Sequence, residues 1–176
     1  TLEEIFQAQP DALAVIELKP TEQYQSHDCP SQVASLPPDQ RPDLAAEVAR
    51  LIDVYGMTDK VMVASFVDDL LHHFMDLAPD VSTSFPMGES IALYVAHVGG
   101  QPFPNPRGHE AIQVPRSYGD IEITAELVAW SRENGVAVHF WTINDPDEME
   151  LLLGWGADGL ITDRPAVLAG LLPDPV

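Results

Sequence analysis

Apolar positions along this chain fall into short solid runs and longer spaced stripes, and the two kinds of segment alternate. The short segments are residues 13–19 (LAVIELK), 60–66 (KVMVASF), 111–114 (AIQV) and 136–143 (VAVHFWTI), with the more polar 80–85 (DVSTSF) and 158–162 (DGLIT), each of strand length. Between them the apolar residues recur at helical spacing. Leu44, Val48, Leu51, Ile52 and Tyr55 make one stripe, and Leu70, Leu71, Phe74 and Leu77 make another. Further helices are predicted over residues 1–9, 90–98, 124–134, from Asp145 to about Gly154, and 165–172.

The ends of these helices carry their own signals. Thr1 and Glu4 have capping-box spacing, Asp43 and Thr124 stand at N-cap positions, and Asp145 is followed by Pro146 at the first helical position. Gly56 and Gly135 stop helices, Gly154 and Gly156 end the next to last, and Pro79 closes the one before residues 80–85. Residues 20–42, rich in Pro, Ser and Gln, read as a long loop.

Apolar strands alternating with amphipathic helices predict an α/β fold with a parallel sheet covered by helices. A doubly wound open sheet and a closed barrel both satisfy that pattern. Polar residues collect where strands end, at Glu17 and Lys19, Ser65, Thr142 and Asn144, and Thr162 and Asp163. Both architectures bind ligands at those C-terminal strand ends. No Gly-rich dinucleotide loop follows any strand, which leans towards the barrel.

Charge narrows the partners. Twenty-eight acidic residues against eight Lys and Arg leave a formal charge of -20, a field that repels nucleic acid. An anionic substrate is compatible only where a metal ion or a local Lys or Arg reverses the sign. With 176 residues, 45% of them hydrophobic, the chain has material for one domain with a sizeable core. No apolar run is long enough to span a bilayer. Cys29 is the only cysteine, so no intrachain disulfide is possible. Thr1 in place of Met, opening directly on a helix cap, implies a chain that starts in mid-protein.

Three segments together resemble the glycerophosphodiester phosphodiesterase family. Residues 136–165 (VAVHFWTINDPDEMELLLGWGADGLITDRP) are similar to its Trp-Thr-hydrophobic-Asn strand, helix, and Asp-Gly-Ile-hydrophobic-Thr-Asp-x-Pro strand. Trp141, Thr142, Asn144, Gly156, Asp158, Gly159, Thr162, Asp163 and Pro165 occupy matching places. Residues 1–20 (TLEEIFQAQPDALAVIELKP) resemble its Thr-Leu-Glu-Glu helix and Glu-x-Lys strand, and VMVASF resembles its Ser-Phe strand. The resemblance implies a partial (β/α)8 TIM barrel, its strands three to eight, forming one incomplete domain over 1–176. It also implies metal-dependent hydrolysis of glycerophosphodiesters to glycerol 3-phosphate and an alcohol, as part of phospholipid headgroup metabolism. In the family, the adjacent glycerol hydroxyl attacks phosphorus first and water opens the cyclic product.

By the same resemblance, Glu17 binds a divalent metal, Mg2+ or Ca2+, and Lys19 holds a phosphate oxygen. Trp141 supplies an apolar wall and Asn144 contributes to the substrate site or orders its loop. Read from residues alone, Glu17 and Lys19 equally make a rim ion pair, Trp141 a core residue, and Asn144 a helix-start residue. Lys19 shares strand parity with Glu17, so both point to one face. The family's His-Arg-Gly segment, two metal-binding acids and second histidine have no counterpart, so the chain alone is expected to be inactive.

His139, at the same parity as Trp141, is expected to be a hydrogen-bonded core histidine. His72 and His73 are expected on a helix surface, and His97 and His109 beside the Pro/Gly-rich loop. Asp158 and Asp163 are expected to hold loop ends through bonds to backbone. A related barrel phospholipase and a non-catalytic truncated barrel are the competing readings. The partner is a small-molecule phosphodiester, with no nucleic acid and no membrane span. Compartment and oligomeric state are left open. Six strands of an eight-stranded barrel would leave exposed edges, so poor solubility or domain swapping is expected of the isolated chain.

Overall fold

The computed structural model describes residues 1–19 and 43–173. The expected loop 20–42, with His27 and Cys29, lies outside the described residues. The chain divides into two compact units, Thr1–Glu89 and Ser90–Val176.

In the first unit, helix α1 (Leu2–Ala8) opens on the predicted capping box. Thr1 Oγ1 accepts from the Glu4 amide, and the Glu4 side chain reaches back to the cap. Strand β1 (Ala14–Glu17) follows, and the next described residue after Lys19 is Asp43. Its carboxylate accepts from the Ala46 amide at 3.0 Å and caps helix α2 (Leu44–Val54). Gly56, at φ 62°, turns the chain where a side chain would be strained. Strand β2 (Val61–Ala64), helix α3 (Asp68–Leu77) and strand β3 (Ser82–Thr83) complete the series.

The three strands are parallel in the order β1-β2-β3, with Ala14 opposite Val61, Glu17 opposite Ala64 and Val63 opposite Thr83. Alternation along β1 and β2 decides what each side chain meets. Ala14, Ile16, Leu18, Val61 and Val63 turn towards a core filled by Phe6, Val48, Leu51, Ile52, Leu71 and Phe74. Each fully buried side chain of this kind contributes about 1.5–3 kcal/mol. The odd positions of β1, Val15, Glu17 and Lys19, lie on the other face and are exposed.

Helix α4 (Met87–Val98) begins three residues before the expected Ser90 start. The reason is non-local. The Asp68 carboxylate accepts from the Gly88 amide at 3.0 Å, and a Cβ on residue 88 would collide with that carboxylate.

In the second unit, strand β4 (Ala111–Val114) leads into an unexpected antiparallel hairpin, β5 (Ser117–Tyr118) and β6 (Ile121–Glu122), turning at Gly119 with φ 60°. Arg116 anchors it. Its guanidinium donates to the Ile123 carbonyl at 2.7 Å and lies 4.7 Å from the Trp155 ring centroid, a cation–π contact. Helix α5 (Ala125–Glu133) is capped by Thr124, strand β7 (Ala137–Phe140) follows Gly135, and helix α6 (Pro146–Gly154) is capped by Asp145. Strand β8 (Gly159–Leu160) and helix α7 (Pro165–Ala169) close the unit.

Strands β4, β7 and β8 are parallel in that order. Val138 and Phe140 are fully buried, as are Leu127 and Val128 of α5 and Met149 and Leu152 of α6. Ala137, His139 and Trp141 alternate with them on the opposite, half-buried face.

In both units the parallel strands proceed in chain order, each crossover carried by a helix. Within each unit, taken by itself, the three parallel strands advance stepwise, as consecutive strands of a barrel do.

Candidate active site

Glu17 and Lys19 are positioned by the residue between them. The Leu18 amide donates to the Ala64 carbonyl at 2.7 Å, and the buried Ser65 hydroxyl donates to the Leu18 carbonyl at 2.9 Å. The Val67 amide in turn donates to Ser65 Oγ at 3.1 Å. Leu18, 1% exposed, is thus gripped through its backbone and its side chain together. Its two neighbours are thrown onto the opposite face at the C-terminal end of β1, where Lys19 Nζ lies 3.2 Å from a Glu17 carboxylate oxygen. Both side chains stay accessible, 34% for Glu17 and 46% for Lys19. A pair this exposed contributes little to stability, roughly 0–1 kcal/mol. It is well placed to meet a ligand.

The corresponding strand end in the second unit is knit by Asn144. Its Oδ1 accepts from the Thr162 hydroxyl and from the Asp163 amide, both at 2.9 Å, and its Nδ2 donates to Asp163 Oδ2 at 3.0 Å. The Arg164 guanidinium donates to the Asn144 carbonyl at 3.1 Å. Asn144 therefore ties the segment after β7 to the segment after β8. Trp141 stands three residues earlier, half-buried, its amide donating to the Val114 carbonyl at 3.1 Å. The peptide between Trp141 and Thr142 is cis.

Asp158 plays the backbone-holding part expected of it. One oxygen accepts from the Val138 amide at 2.9 Å, and the other faces Arg132 Nε at 3.2 Å. His139 is hydrogen-bonded, as expected, its Nδ1 lying 3.3 Å from Gln113 Nε2. Burial holds its pKa below the ordinary histidine range, with Asp158 pulling weakly the other way.

The remaining histidines have specific neighbours. His72 Nε2 lies 2.8 Å from Glu89 Oε1, and His73 Nε2 lies 2.7 Å from Asp43 Oδ2. His97 meets Trp130 in a tilted contact at 5.0 Å between centroids, with Phe103 tilted against the same residue at 4.7 Å. His109 is buried, its amide donating to the Pro106 carbonyl at 2.8 Å.

Sequence reasoning noted Ser65 as a strand-end polar residue without finding its grip on Leu18. It did not single out Gln113. A polar residue in the apolar run AIQV was the available signal.

Residues 1–167 match the glycerophosphoryl diester phosphodiesterase family, and the chain belongs to that family. It is 27% identical over 131 residues to a glycerophosphodiester phosphodiesterase of Caldanaerobacter subterraneus, an alignment covering 74% of this chain and 50% of the relative. Among solved structures, it is similar to a glycerophosphodiester phosphodiesterase of Thermotoga maritima with a TM-score of 0.62 and 21% identity, covering 98% of this chain and 63% of that one. It is also similar to an Oleispira antarctica phosphodiesterase solved with the product sn-glycerol-3-phosphate, TM-score 0.62 and 16% identity, covering 95% of this chain and 57% of that one. The fold is that of the third to eighth strands of a (β/α)8 barrel. The chain spans about half the length, or less, of the curated relatives it matches.

Proposed function

We propose that this chain is the strand-three-to-eight portion of one barrel domain that hydrolyses glycerophosphodiesters to glycerol 3-phosphate and an alcohol. The observation that carries the reading is the Glu17–Lys19 pair. It presents a carboxylate and an ammonium on one accessible face at a C-terminal strand end, where barrel enzymes place their chemistry.

Glu17 is the proposed metal ligand. An accessible carboxylate is a hard oxygen donor, and it fits Mg2+ or Ca2+, which favour such donors. It supplies part of a coordination shell and not the whole of one. When bound, the ion would polarise a phosphodiester oxygen. Lys19 holds a nonbridging phosphate oxygen and opposes the charge that grows on it during displacement. Trp141 gives the glycerol or alcohol moiety an apolar wall. Asn144, with its side chain committed to Thr162 and Asp163, holds the loops that border that wall. In a chain of net charge -20, Lys19 supplies the local positive charge that an anionic diester needs.

The family's His-Arg-Gly segment does not occur in this sequence. We place the general acid and base outside these residues, and 1–176 alone is expected to show no turnover. The test is hydrolysis of glycerophosphocholine by the protein extended to include that segment, with and without chelator. Turnover that ends on chelation and is lost in Glu17→Gln supports the reading. Chelator-resistant turnover contradicts the metal role.

A further inference from the structure

The half-buried face of the β4-β7-β8 sheet is built in an unusual way one layer below Trp141. Barrel interiors are normally filled by bulky branched apolar side chains stacked in layers. Here the register sets Gln113 opposite His139 and His139 opposite Gly159. The layer therefore consists of an amide, an imidazole and no side chain at all.

The three residues fit one another. The histidine ring reaches over β8, where a Cβ on residue 159 would stand 2.9 Å from Cδ2 and 3.3 Å from Nε2. Only glycine leaves the ring that space without displacing it. At the other side of the ring, Gln113 Nε2 can only donate, so His139 Nδ1 accepts, at 3.3 Å. With the amide in that orientation, the proton of the neutral ring falls on Nε2. Burial lowers the ring's pKa and so favours the neutral form, whose N–H is a donor. His139 shares parity with Trp141 and lies two residues deeper, about 6–7 Å along the strand.

We propose that Gln113, His139 and Gly159 form a polar floor beneath Trp141, and that the His139 Nε2–H donates to a hydroxyl oxygen of the bound glycerol moiety. This rests on the functional reading above. A layer serving only as core would be apolar and would gain from a side chain at 159. This one retains a polar ring and gives the space over the glycine to it. His139 would then read the polyol, so specificity for glycerol would come from a residue that takes no part in proton transfer.

The experiment is a titration of the isotopically labelled protein, extended to include the His-Arg-Gly segment, with sn-glycerol 3-phosphate, inorganic phosphate and phosphocholine. It follows the His139 ring nitrogens, the Lys19 ammonium and the Trp141 indole by NMR. The Nε2-protonated tautomer is expected without ligand, and sn-glycerol 3-phosphate should move the His139 ring while the other two compounds leave it in place. His139→Leu should weaken sn-glycerol 3-phosphate about tenfold, the worth of one hydrogen bond to a neutral donor, and leave inorganic phosphate unaffected. His139→Gln, which keeps a donor, should recover part of the loss. Gly159→Ala should displace the ring and mimic His139→Leu, a second route should that variant fold poorly.

A ring that stays unmoved while Lys19 and Trp141 respond would overturn the polar floor and leave the functional reading standing. Movement of the ring with inorganic phosphate alone would overturn the assignment to a hydroxyl. Silence at all three residues would overturn the functional reading, and this inference with it.

Discussion

Asn144 and Asp163 exchange hydrogen bonds in both directions. The amide side chain of Asn144 donates to the Asp163 carboxylate at 3.0 Å, and the Asp163 backbone amide donates back to Asn144 Oδ1 at 2.9 Å. With the Thr162 hydroxyl on the same oxygen, one side chain satisfies three groups of the β8 loop. Asn144→Ala should destabilise the protein by about 1–3 kcal/mol. Asn144→Asp, nearly isosteric, should do at least as much damage at neutral pH, because it sets a carboxylate against Asp163. Thermal melting of both variants checks this, and a silent Asn144→Asp would show that the exchange carries no weight.

Glu17→Ala should separate binding from stability. The exposed ion pair with Lys19 predicts a change in unfolding free energy within about 1 kcal/mol. Calorimetric titration with Mg2+ or Ca2+ should show weak binding to the parent chain and none attributable to this site in the variant. A large loss of stability would recast Glu17 as a structural residue.

Asp43 accepts from His73 and also caps α2 through the Ala46 amide, and these bonds hold its pKa below the ordinary aspartate value. Asp43→Ala should cost about 1 kcal/mol, the usual worth of an N-cap. Because the folded pKa is depressed, that contribution is present above the unfolded value of about 3.8–3.9 and fades as pH falls through the folded one. The gap between parent and variant in chemical denaturation should therefore close in strong acid.

His139 gives a second pH dependence in a different window. Its folded pKa is lowered, so the folded protein binds this proton less readily than the unfolded chain. Its contribution is complete above the unfolded value of about 6.5 and is lost as pH falls through the folded value. The His139→Leu variant should lose less stability than the parent as the medium is acidified from neutral. Melting curves across that range decide it.

The expectations that held have local causes. Thr1, Asp43, Thr124 and Asp145 each cap the helix that follows them through a bond to an amide two or three residues away, and such bonds are written in adjacent letters. The strands were legible as apolar runs, and their chain-order progression followed from the alternation with helices. The departures have causes distant in sequence. The start of α4 is fixed by Asp68, twenty residues upstream, acting on Gly88. The β5-β6 hairpin consists of two-residue strands, too short to show a period, and Tyr118-Gly119-Asp120 was its one visible sign.

At the site, parity placed Glu17 with Lys19 and His139 with Trp141, because parity needs only counting. Register was out of reach. That Gln113 faces His139, and that Gly159 leaves room for its ring, depends on how three separated strands align. Ser65 was visible as a polar strand end, but its grip on Leu18 requires knowing that β2 lies against β1.

Strand β1 has one more property that bears on Glu17. Among the described residues it is bonded to β2 alone, and since the Leu18 amide points to Ala64, alternation turns the amides of Val15 and Glu17 towards the unbonded flank. Among the described residues, the strand carrying the proposed metal ligand is therefore fastened along one side. A strand paired along its other flank would hold the backbone of Glu17 from both sides and, on the reading proposed above, narrow the range over which its carboxylate swings.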